Sequence, residues 1–408
     1  MSEIKVNSIK GVGASAAAIT VDNTSGSASA NLTAVNSVVM PNGGFFSNRN
    51  LIINGAMQVA QRGTSSTAND YLIDRFRFSY GGTDEAPTQA QVDVASGTTP
   101  YTLGFKKALK ITNGNQTSGA GAADFLEFYQ YLEDQDISNS GWNFKSSSSY
   151  ITISYWVKSS VAQKFTGFLY TNQAGAGDSY MYSYQIDDGS GGNLTADTWT
   201  KITHSIAGNS NLTFNSDNTR GLAVGFYMFE GTDYSTSSHT ENTWAAWNSS
   251  NKIKDMTSTW YTTNDATFEI TGVQLEVGSV ATDFDHRTFG QELALCQRYF
   301  QQIGATGQDG TYVVNAAYLY NLGNNIATGY TTPVMMRASP TFTQGSTGLK
   351  GWAGGTVSII NSYNFIEHVF PSTHISVSGA LAADLGNDND VALWVNETNS
   401  LVTLSAEL

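Results

Sequence analysis

A chain of 408 residues has room for two or three domains. Only 13% of its residues are charged, against about 25% in ordinary soluble domains, and Gly, Ser, Thr and Asn fill the difference. That exchange favours strands and turns over helices, and a net charge of −14 repels phosphate backbones and anionic lipid. The chain is therefore expected to be all-β, with no nucleic acid partner and no membrane insertion.

Residues 1–49 contain no Tyr or Trp and cannot build a core alone. They read as an extended N-terminal segment. Ile19-Thr20-Val21-Asp22 and Val38-Val39-Met40 look like strand fragments, so order gained against neighbouring subunits is favoured over a disordered leader. Met1-Ser2-Glu3-Ile4-Lys5 lacks the apolar stretch of a signal peptide, so synthesis in a cytoplasm is expected.

Residues 50–289 are a run of strand-like segments divided by Gly, Asn, Asp and Ser clusters. They are Leu109–Thr112, Phe125–Glu133, Tyr150–Lys158, Phe165–Tyr170, Tyr180–Ile186, Trp199–Ile206, Gly221–Phe229 and Thr267–Val277. Strands recurring after short polar turns predict a central jelly-roll β-sandwich. No proline falls between Pro100 and Pro333, which suits continuous sheet. A short linking helix is expected over 290–304. Leu293, Cys296, Phe300 and Ile303 share one helical face, Thr288 and Gln291 have capping-box spacing, and Gly304 is placed to end it. Beyond it, Tyr312–Tyr320, Thr341–Thr343, Val357–Ile360, His374–Ser378, Val391–Val395 and Leu401–Leu404 predict a smaller C-terminal β-sandwich at 305–408.

No catalytic constellation is recognisable in the sequence. Glu133, Asp134 and Asp136 cluster, as do Asp187 and Asp188, but neither cluster matches a hydrolase motif and both suit turns or solvated faces. There is no nucleophile elbow, phosphate loop or HExxH motif. The histidines at 204, 239, 286, 368 and 374 are scattered, although His368 and His374 flank Pro371. The single cysteine, Cys296, allows no internal disulfide and sits on the apolar helix face, where a buried structural thiol is expected. Asp388-Asn389-Asp390 and Asp187-Asp188 could serve calcium, but equally serve turns. No metal or cofactor is expected.

Sugar binding has the better chemical basis. The apolar face of a pyranose stacks on aromatic rings while its hydroxyls pair with polar side chains. Tyr180, Tyr182 and Tyr184 share one strand face by period-2 spacing, Trp244 and Trp247 lie in a Ser/Asn-rich stretch, and Trp142 sits in a turn. The same six rings could instead fill a core or a subunit interface.

Three segments stand out in order along the chain: Asn50–Thr64; Tyr71-Leu72-Ile73-Asp74-Arg75-Phe76; and Ile153–Ser160. They resemble segments of a family of phage tail-fibre and virion structural proteins. The resemblance is strongest at Ile270–Gly278, followed by Ala281–Phe284 and Glu292–Phe300, and it extends to Pro333–Thr341 and Ala406-Glu407-Leu408. The motifs themselves have architectural readings. Asp74-Arg75 would pin a sheet edge, Thr271-Gly272 would allow a bulge, and Gln274 and Glu276 would face away from Val273, Leu275 and Val277. The resemblance implies a carbohydrate-binding-like jelly roll, a homotrimer, attachment to other virion proteins through the N-terminal segment, and contact with host-surface glycan. A virion protein made in the host cytoplasm and released by lysis fits both the extracellular composition and the missing leader. A head-fibre or decoration protein without ligand, and a glycan depolymerase, are the alternatives.

Overall fold

The computed structural model describes strands at 8–9, 19–21 and 28–30. From there it describes residues 49–171, 179–303, 312–320, 325–344, 349–353, 356–367, 374–382, 391–396 and 402–408. The chain separates into two compact units, Met1–Ser47 and Asn48–Leu408. The first holds a small antiparallel sheet of β1 (Ser8–Ile9), β2 (Ile19–Val21) and β3 (Ala28–Ala30). The expected strand at Val38-Val39-Met40 lies outside the described residues.

The second unit opens with β4 (Ser65–Ser66), β5 (Arg77–Gly81), β6 (Thr88–Asp93), α1 (Thr99–Thr102) and β7 (Lys107–Thr112). Then come β8 (Phe125–Glu133), α2 (Asp134–Ser138), β9 (Tyr150–Ser159), β10 (Phe165–Thr171) and β11 (Tyr180–Ile186). The run ends with β12 (Thr200–Ala207), β13 (Arg220–Glu230), β14 (Trp244–Ala246), α3 (Thr259–Thr262) and β15 (Thr267–Val277). These strands form two six-stranded antiparallel sheets, ordered β14-β11-β10-β13-β8-β5 and β12-β9-β15-β7-β6-β4. One hydrophobic core joins them. Leu126, Phe128, Leu169, Tyr184 and Phe226 of the first sheet meet Leu109, Ile111, Ile153, Tyr155 and Phe268 of the second. This is the expected all-β sandwich, and fully burying each large side chain contributes roughly 1.5–3 kcal/mol.

Two motifs explain each other. Gly272, at φ +66°, opens a bulge between Thr271 and Gln274 on β15. Gly55 packs into it so closely that an added Cβ would lie 2.0 Å from the Val273 carbonyl oxygen. The Val273 amide donates to Gly55 O at 2.9 Å, and Asn50 Nδ2 donates to Val273 O at 3.0 Å. Gln274 and Glu276 do face away from the core. They are nonetheless buried, because the segment 282–285 covers them and donates to both from Asp285 N and Thr282 N.

Helix α4 (Phe289–Gln297) has the expected capping box at Thr288 and Gln291. It is shorter than the spacing predicted. Phe300 and Ile303 belong to β16 (Phe300–Ile303), because this segment finds a strand partner across the chain; Gly304 lies outside the described residues. Cys296 is fully buried, and burial pushes its thiol well above the usual range.

The remaining strands are β17 (Tyr312–Tyr320), β18 (Asn325–Thr331), β19 (Thr341–Gln344), β20 (Leu349–Ala353), β21 (Thr356–Glu367), β22 (His374–Leu381), β23 (Val391–Asn396) and β24 (Val402–Ser405). Where a second sandwich was expected, β17-β18-β22-β21-β20-β23 close into a barrel. The long β21 breaks register at Ile360/Ser362 and at Phe365/Glu367, and such bulges increase twist and bend a strand, which helps a sheet meet itself. The last three strands outside the sandwich form a base sheet, β16-β24-β19.

The base sheet returns the end of the chain to the sandwich. Tyr71 Oη donates to Leu408 O at 2.8 Å, Arg62 meets Glu407 at 3.1 Å, and Arg75 pairs with the other Glu407 oxygen. Asp74 and Arg75 are therefore not in an edge strand. They sit in the loop before β5, with Arg75 at φ +73°, and fasten the chain's return rather than a sheet edge. Burial pushes the Asp74 carboxyl up to about 6 even though Arg62 and Gln61 favour its charge. On the sandwich side, Arg298 donates twice to Glu133 at 2.8 Å and Tyr299 Oη donates to it at 2.6 Å.

Candidate functional site

The outer face of the sheet β14-β11-β10-β13-β8-β5 is unusually aromatic. Along β8 the inward set is Leu126, Phe128, Gln130 and Leu132, all buried, which leaves Glu127, Tyr129, Tyr131 and Glu133 outward. Antiparallel register puts Tyr227 of β13 opposite Glu127, and Ala223 opposite Tyr131. Phe168 and Tyr170 of β10 and Met181 of β11 carry the same face onward. The loop after β14 then folds back over one end, with Lys252 N donating to Tyr234 O at 2.9 Å and Ile253 buried against the sheet.

The result is a trough of about 180 Å³ lined by Tyr129, Tyr131, Tyr170, Tyr227, Trp247 and Lys252, among others. Its floor is apolar, with Phe168 stacked on Tyr227 at 4.4 Å between ring centroids. Its walls are rings set at angles. Tyr129 and Tyr131 are edge to face at 5.3 Å and 80°, and Tyr170 lies 5.9 Å from Trp247. Trp247 is 44% exposed, a large apolar surface presented to solvent beside other rings. Gly225 keeps the floor low: a Cβ there would lie 2.3 Å from the Phe168 ring and 2.7 Å from Tyr129 Cβ.

Polar groups converge at one end. Lys252 Nζ sits 2.9 Å from Glu230 Oε2 and 4.4 Å from the Tyr234 ring centroid. Glu127 lies directly opposite Tyr227 in the β13–β8 register. Burial raises both carboxyls above the usual glutamate range, opposed by the Lys252 ammonium. The site thus offers flat apolar surface next to hydrogen-bonding groups, the pairing that an amphipathic ring such as a sugar requires.

Of the six expected sugar-contact rings, the trough contains only Trp247. Tyr182 and Tyr184 point into the core, Tyr180 packs against it, and Tyr184 Oη lies 3.3 Å from Tyr155 Oη. Trp244 is buried with its Nε1 donating to Ala207 O at 2.9 Å, and Trp142 is buried with its Nε1 donating to Ser149 O at 3.3 Å. The physical reason is strand phase. Tyr180, Tyr182 and Tyr184 alternate with Met181, Ser183 and Gln185, and the more polar set faces out.

The acidic clusters are also accounted for. Glu133 is held by Arg298 and Tyr299, whose hydrogen bonds bring its pKa below the ordinary value against the opposing effect of burial. Asp134 accepts from Asn215 N at 2.5 Å. Asp188 accepts from Ser190 and Gly192 amides within its own turn. Among the described residues no group of three or more His, Cys, Asp or Glu could hold a metal, while 388–390 and His368 lie outside them.

No family model matches the sequence, and no curated protein matches it. Among solved structures, the chain is similar to a candidate sugar-binding protein from Bacteroides thetaiotaomicron at 12% identity, with 56% of this chain and 100% of the other covered and a TM-score of 0.30. It is similar to the family 11 carbohydrate-binding module of Clostridium thermocellum, solved with a β-1,3-1,4-mixed-linked tetrasaccharide, at 11% identity, 54% and 98% coverage and a TM-score of 0.25. A third is TmCBM61 in complex with β-1,4-galactotriose, at 8% identity, 57% and 99% coverage and a TM-score of 0.27. Scores this low establish no common fold, so the sandwich rests on its own strand register and shared core.

Proposed function

We propose that the chain is a non-catalytic glycan-binding subunit of the phage tail-fibre or receptor-binding kind its motifs resemble, and that the ring-lined trough is where the sugar sits. One observation carries the reading: Trp247, exposed in a solvated loop, stands beside Tyr170 over a floor of Phe168 and Tyr227. A tryptophan that only filled a core would not be left open beside a trough lined by four tyrosines. In a homotrimer attached to other virion proteins through residues 1–49, weak sites on several copies would add through effective concentration.

The test is a glycan array that includes β-1,3-1,4-glucan and β-1,4-galactan oligosaccharides, followed by calorimetry on Trp247→Ala. Loss of at least about tenfold in affinity, equivalent to roughly 1.4 kcal/mol, is expected with thermal stability kept. Absence of binding to every glycan by the folded chain would overturn the proposal.

A further inference from the structure

We infer that the trough selects uncharged glycans and turns away acidic ones, with Glu127 as the residue that sets the preference. This rests on the proposed glycan-binding function and asks which chemical class of glycan the site accepts.

The cation of the lining is already spent. Lys252 Nζ reaches both carboxylate oxygens of Glu230, at 3.1 and 2.9 Å, and the Glu230 side chain is fully buried. A uronic acid or sialic acid carboxylate could recruit Lys252 only by drawing it from Glu230, which would then stay buried as an unpaired charge or take up a proton, and either is unfavourable while Glu230 is ionised. Glu127, half-buried in the lining, is then the group an acidic sugar meets, and its oxygens accept from sugar hydroxyls but repel carboxylates.

Two further cations flank the trough outside its lining, and Arg77 is near enough to Glu127 to favour its charged form. Arg77 is one strand beyond β8, opposite Tyr129 in register, with its guanidinium 5.9 Å from the Tyr71 ring centroid. Arg220 stacks 4.8 Å over Tyr131, toward the end of β8 away from Glu127. Glu127 and Glu230 thus share Lys252 as the cation of the lining, with Arg77 the nearest one outside it, on a protein whose net charge of −14 already slows the approach of polyanions.

The direction with pH follows. Burial raises the Glu127 carboxyl, with Lys252, Arg77 and the Tyr227 hydroxyl opposing the rise, and it raises Glu230 on the same lysine as well. Repulsion therefore strengthens as pH increases and Glu127 ionises, and weakens in acid, where a uronate remains charged.

The experiment uses the full chain and oligosaccharide pairs matched in linkage and length, one member neutral and the other oxidised at C6 to the carboxylate. At pH 8 the neutral member should bind at least about tenfold more tightly. The ratio should narrow several-fold at pH 5, in Glu127→Gln, and at high salt, whatever the absolute affinities. Acidic members that bind as well as neutral ones in the wild type would overturn the inference, and an unchanged ratio in Glu127→Gln would remove Glu127 from it. Binding of neither class by folded protein would instead overturn the glycan-binding function on which it rests.

Discussion

The two faces of the sheet β14-β11-β10-β13-β8-β5 are both tiled with aromatic rings, and they do opposite work. On the inner face Phe128, Tyr184 and Phe226 are sealed; Phe128 stacks on Phe226 at 4.9 Å, and Tyr155 from the other sheet meets Phe226 edge-on at the same distance. On the outer face Tyr129, Tyr131, Tyr170 and Trp247 leave a trough open to solvent. The outer face is itself divided. Tyr131 packs against both the trough cluster and the cluster around Cys296 and Leu408, and past it Glu133 is roofed by Arg298 and Tyr299. Ring content thus does not distinguish core from site. What distinguishes them is whether another element covers the rings.

Substitutions on the two faces should therefore separate stability from binding. Phe226→Ala, which empties the inner face, should cost about 3–5 kcal/mol in denaturant unfolding. Glu133→Gln, which unroofs the covered half of the outer face, should cost about 3 kcal/mol at neutral pH. Glu133 also sets a pH dependence. Its folded pKa lies below the ordinary 4.5, so its contribution is present above that value and is lost as pH falls through the folded pKa. Melting curves from pH 6 to pH 3 should show this acid loss in the wild type, and its absence in Glu133→Gln would confirm the source. Asp74, raised to about 6, works in the opposite sense: its contribution fades as pH rises from 3.8 through 6.

Gly225→Ala should cost about 1–3 kcal/mol by overpacking, yet weaken glycan binding more than Phe226→Ala does, because the new methyl lifts Phe168 and Tyr129. The smallest stability effect, within about 0.5 kcal/mol, is expected for Trp247→Ala, which should have the largest binding effect of the set. A stability loss from Trp247→Ala comparable to that from Phe226→Ala would erase the contrast between the faces.

The sandwich was legible because strand segments such as Phe125–Glu133, Tyr180–Ile186 and Thr267–Val277 carry clean alternation and polar turns. The strands β5 and β6 were not, since Arg77–Gly81 at a sheet edge and Thr88–Asp93 beside the two-residue β4 are short pieces with weak apolar alternation, ordered by their neighbours. The site was misread for a specific reason. Period-2 spacing groups Tyr180, Tyr182 and Tyr184 on one face without saying which face is wet; the polar alternation of Ser183 and Gln185 held that answer. The same rule applied to β8, where Glu127 shares a face with Tyr129 and Tyr131 while Leu126, Phe128 and Leu132 share the other, points to the trough, although the rings expected to contact sugar came from other segments. Lys252 and the closing loop had no such local signal, because their place depends on contacts with Tyr234 and Glu230.

The base sheet β16-β24-β19 has a mechanical consequence. The chain passes between it and the barrel from β16 to β17, from β18 to β19, from β19 to β20 and from β23 to β24. Tension applied to the barrel is shared by these separate covalent tethers rather than concentrated on one strand to be peeled away. Because the last residues are clamped by Arg62, Arg75 and Tyr71, that load passes into the same loop that supports Tyr131 through the Arg75 bond to its carbonyl oxygen, 2.6 Å long.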